Sequence, residues 1–322
     1  NVVSFFILNK DIFNRSINGQ FLHALVNWVT HLSHHNSLSR SPKNISAHYD
    51  LSNQMYDIFL DPLKIYSSGI FLTEAMSLEE AQEVKMSQII AKAHIRPTDH
   101  VLEIGSGWGA LAIAIAKRTG AKVTTITLSK DQYSEVQRRI KAEDLGDRVE
   151  VLLQDFRTLS GTYTRIVSVE MLEAVGHAYL GEYFKQLDRL LAPNGVAVLQ
   201  VISFPDFEYD IYRKTSDFIR KYIFPGGHLP SLSALSQNMA KHTQLVIENV
   251  ENIGPHYAPT LAHWRQRFLA HQDQIKNLGF DEAFIRKFHY YFGFCEAAFE
   301  TRFLMNYQIT LSHTCNLELE NY

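Results

Sequence analysis

The stretch VLEIGSGWGALAIAIAKRTG, residues 101–120, constrains the fold more than any other part of the chain. An apolar, strand-like run reaches Gly105, Gly107 and Gly109, and a small-residue, helix-like pattern follows at once. Such a turn brings backbone N–H groups and a helix N-terminus to the carboxyl end of a strand, where open α/β sheets hold ligands. The alternation continues downstream. It predicts strand 100–104, helix 109–119, strand 122–127, helix 130–143, strands 149–153 and 165–169, helix 178–191 and strand 195–202. That order implies an α/β fold with a parallel, doubly wound, Rossmann-like sheet.

Ahead of the sheet, residues 1 to about 35 read as helical, with Phe21, Leu22, Leu25, Val26 and Trp28 at helix spacing. The polar run SHHNSLSRSPKN then marks a boundary, giving an N-terminal helical segment 1–43 and a main domain 44–322. The chain starts at Asn1 in an apolar pattern, which reads as the end of a longer N-terminal region. A short helix within 48–62, stopped by Pro62, and a helix over 78–94 complete the cap. After residue 202 the alternation is interrupted by the aromatic, turn-rich stretch FPDFEYDIYRKTSDFIRKYIFPGGHLPSL, followed by helices at 231–241, 258–274 and 281–296. This insertion is expected to form a lid, about 203–300, over the carboxyl ends of the strands. Segments 244–252 and 305–312 are expected to complete the sheet edge.

Composition narrows the function classes. A formal net charge of -3 over 322 residues gives no global attraction to nucleic acid. The two cysteines, Cys295 and Cys315, give neither metal-ligand spacing nor a disulfide framework. No apolar run approaches the roughly 18 residues a spanning helix needs. The expectation is a cytoplasmic enzyme with no metal, in contact with a membrane only peripherally.

Two cofactors compete for the glycine loop. Gly105, Gly107 and Ala110 fit the turn that seats a dinucleotide pyrophosphate, whereas Glu103 with the three glycines fits the E-x-G-x-G-x-G loop that cradles S-adenosylmethionine. A nicotinamide site normally has an acid at the end of the second strand, and here Thr127 and Leu128 stand there. Glu103 would also repel a pyrophosphate, while the sulfonium cofactor has no phosphate.

Several further motifs occur in one order: HYDLSN, YSSGIF, VLEIGSGWGALAIAIA, TITLSKDQ, DFR, SVEMLEAVGH, YIFPGGHLPS and NIGPHYAPTL. From about residue 44 to 312 the chain resembles the cyclopropane-fatty-acid-phospholipid synthase family, which includes mycolic acid cyclopropane synthases. The resemblance implies S-adenosylmethionine as methyl donor and the cis double bond of an unsaturated acyl lipid as acceptor, giving a cyclopropane. It also implies transient contact with a membrane surface and is compatible with a homodimer.

Carried over residue by residue, the resemblance places Tyr66 and Ser67 at the amino-acid end of the cofactor and Gly105 and Gly107, after Glu103, in its cradle. Thr127 and Gln132 fall on the ribose side, and Asp155 and Phe156 at the adenine. Helix capping is the plain alternative for Thr127, and core packing for Phe156. The resemblance makes Glu173 the active-site glutamate, with Glu170 as a structural acid in competition, and Tyr257 the active-site tyrosine. Cys295 matches a family cysteine, although a lone helical cysteine beside Phe292 and Phe299 is more often core.

Ser68 and Gln200 depart from the family, which often has Cys and His at those places. With Glu173, Ile202 and Tyr257 these positions surround a bicarbonate general base in the family, so both bicarbonate and the cyclopropane product are in question. SVEMLEAVG resembles a branch that includes plant cyclopropane synthase domains and tuberculostearic-type methyltransferases. Other readings are a methylene or methyl-branched acyl product, a small-molecule N-methyltransferase, and a non-catalytic lipid-binding module.

Overall fold

The computed structural model describes residues 2–9, 53–317 and 319. The expected helices within 10–52, the polar linker and the boundary at 43 lie outside the described residues. In chain order the elements are α1 (Val2–Leu8), α2 (Asn53–Phe59), α3 (Leu78–Lys92), β1 (His100–Ile104), α4 (Ala110–Thr119), β2 (Lys122–Thr127), α5 (Lys130–Ala142), β3 (Val149–Leu153) and β4 (Tyr163–Val169). They continue with α6 (Leu180–Leu190), β5 (Leu191–Ser203), α7 (Asp206–Tyr212), α8 (Phe218–Tyr222), α9 (Leu232–His242), β6 (Leu245–Asn252), α10 (Tyr257–Ala270), α11 (Gln272–Asn277), α12 (Glu282–Glu300) and β7 (Met305–His313).

Local chemistry fixes the element ends. Ser77 and Glu80 form a reciprocal capping box at the start of α3, so two otherwise unpaired N–H groups are satisfied. Ser129 caps α5 through the Gln132 N–H. Helix α4 begins after Gly109 at φ +88° and ends at Gly120 at φ +76°, both in the left-handed region that favours glycine.

The strands form one sheet in the order β3-β2-β1-β4-β5-β7-β6. The first five run parallel, as the alternation predicts, but β7 pairs antiparallel with both β5 and β6, so the sheet is mixed. A parallel strand requires a crossover over the sheet, most often through a helix. Strand β6 instead lies within the segment 203–300 and β7 follows it, and β7 inserts between β5 and β6 rather than extending an edge. The strand order reverses between β1 and β4, and the crevice at that switch point is where this architecture binds ligands.

Three apolar clusters surround the sheet, two against its faces. The third joins α2, α10 and α12 through Phe59, Trp264, Phe268 and Phe292. Phe59 meets Trp264, Phe268 and Phe292 edge-on, with the Phe59–Phe292 centroids at 5.4 Å, geometry that adds to the hydrophobic gain of burial. Tyr257, Tyr291 and Phe299 of the same cluster face the crevice. The expected helix 258–274 is divided at His271 into α10 and α11.

Candidate active site

A cavity of about 600 Å³ runs from the glycine loop, beneath α7 and α8, to the aromatic face of α12. Gly105 and Gly107 line it, at φ +97° and +48°. A Cβ on Gly105 would lie 3.2 Å from the Met171 side chain, whereas one on Gly107 would meet nothing within 4 Å. The loop is therefore a cradle open to a ligand. Glu103, at the end of β1, is buried, and its carboxylate accepts from the Thr125 hydroxyl. Burial pushes it up to about 8, against the opposing pull of Thr125 and Lys85.

Tyr66, Ser67, Thr127, Gln132 and Phe156 also line the cavity. Thr127 Oγ1 donates to Gln132 Oε1 at 2.7 Å, which leaves the buried Gln132 Nε2 with no acceptor in the protein. A ligand hydroxyl at this place would supply one. Asp155 is different: its carboxylate caps the turn Phe156–Thr158 and takes a two-pronged bond from Arg157, at 2.9 and 2.6 Å. Of the two residues expected at the adenine, Phe156 lines the cavity and Asp155 does not; Gln154 lines it as well.

Beyond the cradle, four donors converge on one carboxylate, and it belongs to Glu170. Ser68 N–H donates to Oε1 at 3.1 Å, Gln200 Nε2 at 2.8 Å and Asn306 Nδ2 at 2.8 Å, while Tyr257 Oη donates to Oε2 at 2.7 Å. An acceptor-only carboxylate matches that donor set. Glu170 stands at the end of β4 with φ +48°. A non-glycine residue there stores backbone strain of about 1–3 kcal/mol, which persists when the surroundings overdetermine it. Here the N–H of Glu170 is tied to the Gln200 carbonyl at 2.7 Å, and its side chain to four partners.

Glu173 lies one short turn further on. Its Oε1 accepts from the Ile202 N–H at 2.6 Å, and its buried Oε2 has no partner. Burial, then the charge of Glu170, pushes Glu173 up to about 8, so it is mainly a neutral acid near pH 7. The donors therefore meet on Glu170, the residue expected to be a structural acid, and Glu173, the expected active-site glutamate, is its protonated neighbour. Tyr257 is held well above its ordinary value by burial and by the Glu170 charge, so it stays a donor. The Ser68 hydroxyl turns away to the Gly69 carbonyl, and only its N–H serves the site.

The donors that the family resemblance assigns to a bicarbonate are thus engaged by a side chain. Ser68 N–H, the Gln200 amide and the Tyr257 hydroxyl all point at Glu170, and a second carboxylate-like anion beside it would be repelled. These residues do not fit a bound bicarbonate. Cys295 lines the cavity, where burial raises its thiol and keeps it protonated, and it makes no contact with the Glu170 cluster. Asn306 and Lys85 were not anticipated. Asn306 comes from β7, 136 residues from its partner, and no local motif announces it.

Residues 36–309 match the mycolic acid cyclopropane synthetase family model. The chain belongs to this family. Tuberculostearic acid methyltransferase UfaA1 of Mycobacterium tuberculosis is 41% identical over 282 residues, covering 85% of this chain and 66% of that protein. Cyclopropane-fatty-acyl-phospholipid synthase of Escherichia coli K12 is 37% identical over 265 residues, covering 82% of this chain and 66% of that protein. This chain spans about two thirds of the length of both relatives. Among solved structures, mycolic acid cyclopropane synthase CmaA1 complexed with SAH and CTAB superposes with a TM-score of 0.78 at 30% identity. That match covers 84% of this chain and 97% of the other. The fold is that of the class I S-adenosylmethionine-dependent methyltransferases, as the glycine loop predicts.

Proposed function

We propose that the protein is an acyl-lipid C-methyltransferase that acts on a cis double bond and uses Glu170 as its own general base. The observation that carries this reading is the convergence of four donors on the Glu170 carboxylate inside an apolar cavity continuous with the glycine cradle. When bound, S-adenosylmethionine supplies an electrophilic methyl group, to which an alkene adds to leave a carbocation on the acyl chain. Gly105, Gly107, Thr127, Gln132 and Phe156 hold the cofactor, and the carboxylates of the cavity suit its cationic end.

Aromatic rings then serve the chain's part of the reaction. Tyr66, Phe204, Phe224, Tyr291 and Phe299 line the cavity, excluding water that would trap a cation, and ring faces attract positive charge by about 0.5–2 kcal/mol each. Glu170 takes the proton that leaves the added carbon. Tyr257, Asn306, Gln200 and the Ser68 N–H fix the carboxylate and spread its charge, and neutral Glu173 does not compete for the cation.

Two endings share the methyl addition and diverge before the proton leaves. If the electrons of the broken C–H bond close directly onto the cationic carbon, the product is a cyclopropane; if a hydride first shifts from the methyl-bearing carbon to the cationic one, the same electrons form a double bond between the methyl-bearing carbon and the added carbon, a methylene branch. The 41% identity to a tuberculostearic acid methyltransferase favours the second ending. Exposed Phe207 and Ile211 on α7 and Tyr222 on α8 surround the lid, which supports contact with a lipid surface during acyl entry. The chain, S-adenosylmethionine and dioleoyl-phosphatidylglycerol vesicles are incubated together, and the acyl groups are analysed by mass spectrometry. A gain of one CH2 per acyl chain is expected. Absence of any such gain, with methylation of a small amine instead, would replace this reading by the N-methyltransferase one.

A further inference from the structure

Helix α3 carries a buried cation into the cofactor end of the cavity. Lys85 is only 3% exposed, on the same face of α3 as Leu78, Ala81, Met86 and Ile89. Its Nζ donates to Ser67 Oγ at 2.7 Å, and Gln82 of the same helix donates to the Ser67 carbonyl at 2.9 Å. Helix α3 therefore grips Ser67 from two sides. An ammonium has three donors, and Ser67 occupies one.

The carboxylates nearest in charge to Lys85 are Glu170, Asp61 and Glu103, and none is bonded to it. Asp61 accepts from the Leu63 and Ile65 N–H groups, Glu103 from Thr125, and Glu170 from its four donors. The other cavity-lining cations among the described residues are neutralised: Lys64 pairs with Asp57 at 2.8 Å and Arg220 with Asp217 at 3.0 Å. A buried cation without an ion-pair partner is costly, and burial lowers Lys85 to about 8. An anionic ligand group beside it would offset that cost.

The cofactor's amino-acid end carries one carboxylate, which the charge of Glu170 would repel if no cation intervened. We propose that Lys85, steadied by Ser67, is the anchor for the α-carboxylate of the methionine moiety, and that it selects for cofactors that keep this group. The inference rests on the cofactor reading above but not on the identity of the acyl acceptor.

The test uses the whole chain and calorimetric affinities for S-adenosylhomocysteine, S-adenosyl-3-thiopropylamine, which lacks only the carboxylate, and 5′-methylthioadenosine, which lacks the amino-acid end. Wild type should prefer S-adenosylhomocysteine over the decarboxylated analogue by about 10- to 100-fold, the range of a charge-assisted hydrogen bond. In Lys85→Met that ratio should fall to near one, while 5′-methylthioadenosine affinity stays the same. The wild-type comparison needs no variant, so it stands even if Lys85→Met fails to fold. Equal wild-type affinity for the first two ligands overturns the proposal, as does an unchanged ratio in the variant. A parallel loss of all three ligands in a folded variant also overturns it, because a structural lysine would do that. If wild type binds none of the three, the cofactor reading fails and takes this one with it.

Discussion

The Tyr257 hydroxyl donates to Glu170 Oε2 across 2.7 Å, joining the first residue of α10 to the end of β4, 87 residues away in sequence. The bond orients the carboxylate and withholds the phenol from acid-base exchange, since a Tyr held well above its ordinary value does not give up its proton. Tyr257→Phe keeps the stacking on Phe299, at 4.5 Å between centroids, and removes only the donor. Turnover should fall about 10- to 100-fold, as for loss of one hydrogen bond to a charged group, with S-adenosylhomocysteine affinity retained. Full activity in the phenylalanine variant would remove Tyr257 from the site.

Replacing each glutamate by glutamine separates their roles. Glu170→Gln should lower turnover by about 10² to 10⁴, the usual worth of a general base. Glu173→Gln should lower it far less near pH 7, because Glu173 is already mainly neutral there. Steady-state rates with saturating cofactor decide the matter. A larger loss in Glu173→Gln would return the base role to that residue.

Glycine accepts the φ of +48° at position 170 without strain. Glu170→Gly should therefore leave the fold intact and empty the cage of donors. Added bicarbonate or formate should restore part of the lost rate in this variant and leave wild type unaffected. Titration of rate against bicarbonate checks this, and stimulation of wild type would mean that Glu170 does not fill the role.

Stability should depend on pH through Glu173. Its folded value is raised from an ordinary 4.5 to about 8, so between those values the native state holds a proton that the unfolded chain has released. Its contribution is fully present below about 4.5 and is lost as pH rises through about 8. Glu173→Gln, which cannot ionise, should melt higher than wild type at pH 8 relative to their difference at pH 4.5. Parallel melting curves across that window would contradict the raised value.

Gly105→Ala tests the cradle. The alanine Cβ would meet Met171 at 3.2 Å in a backbone with φ +97°, which costs about 1–2 kcal/mol per left-handed residue. A fall in melting temperature and at least a tenfold loss of S-adenosylhomocysteine affinity are expected. Unchanged binding would mean that the loop is only a turn.

Ile211→Asp probes the lid surface, since Ile211 is 69% exposed beside the cavity. Binding to phosphatidylglycerol vesicles, read by co-sedimentation, should weaken several-fold while S-adenosylhomocysteine affinity holds. Equal sedimentation would direct the search for a lipid contact elsewhere.

The fold was legible because strand and helix periods alternate cleanly from 100 to 203, and glycine and serine punctuation marked the helix ends of α4 and α5. The glycine loop was legible for the same reason, as a local motif with its own backbone geometry. The mixed sheet was less so: nothing in LVIENVEN or MNYQITLSH states which neighbour a strand will take. The sequence could not tell which of Glu170 and Glu173 the donors would meet, because the two are three residues apart and chemically identical. What separates them is φ at one position and donors from Ser68, Gln200, Tyr257 and Asn306, which only the tertiary structure collects.

The insertion of β7 between β5 and β6 ties the Glu170 cage to the closure of the sheet. Asn306 reaches Glu170, and Gln308 supports Gln200 at 3.0 Å, both from β7. Before β7 has seated against β5, the carboxylate lacks its Asn306 donor, Gln200 lacks its support, and β5 has an open edge. The cage is therefore a readout of sheet completion: loosening the antiparallel flank would disorder the carboxylate while leaving the glycine loop, at the end of β1, in place.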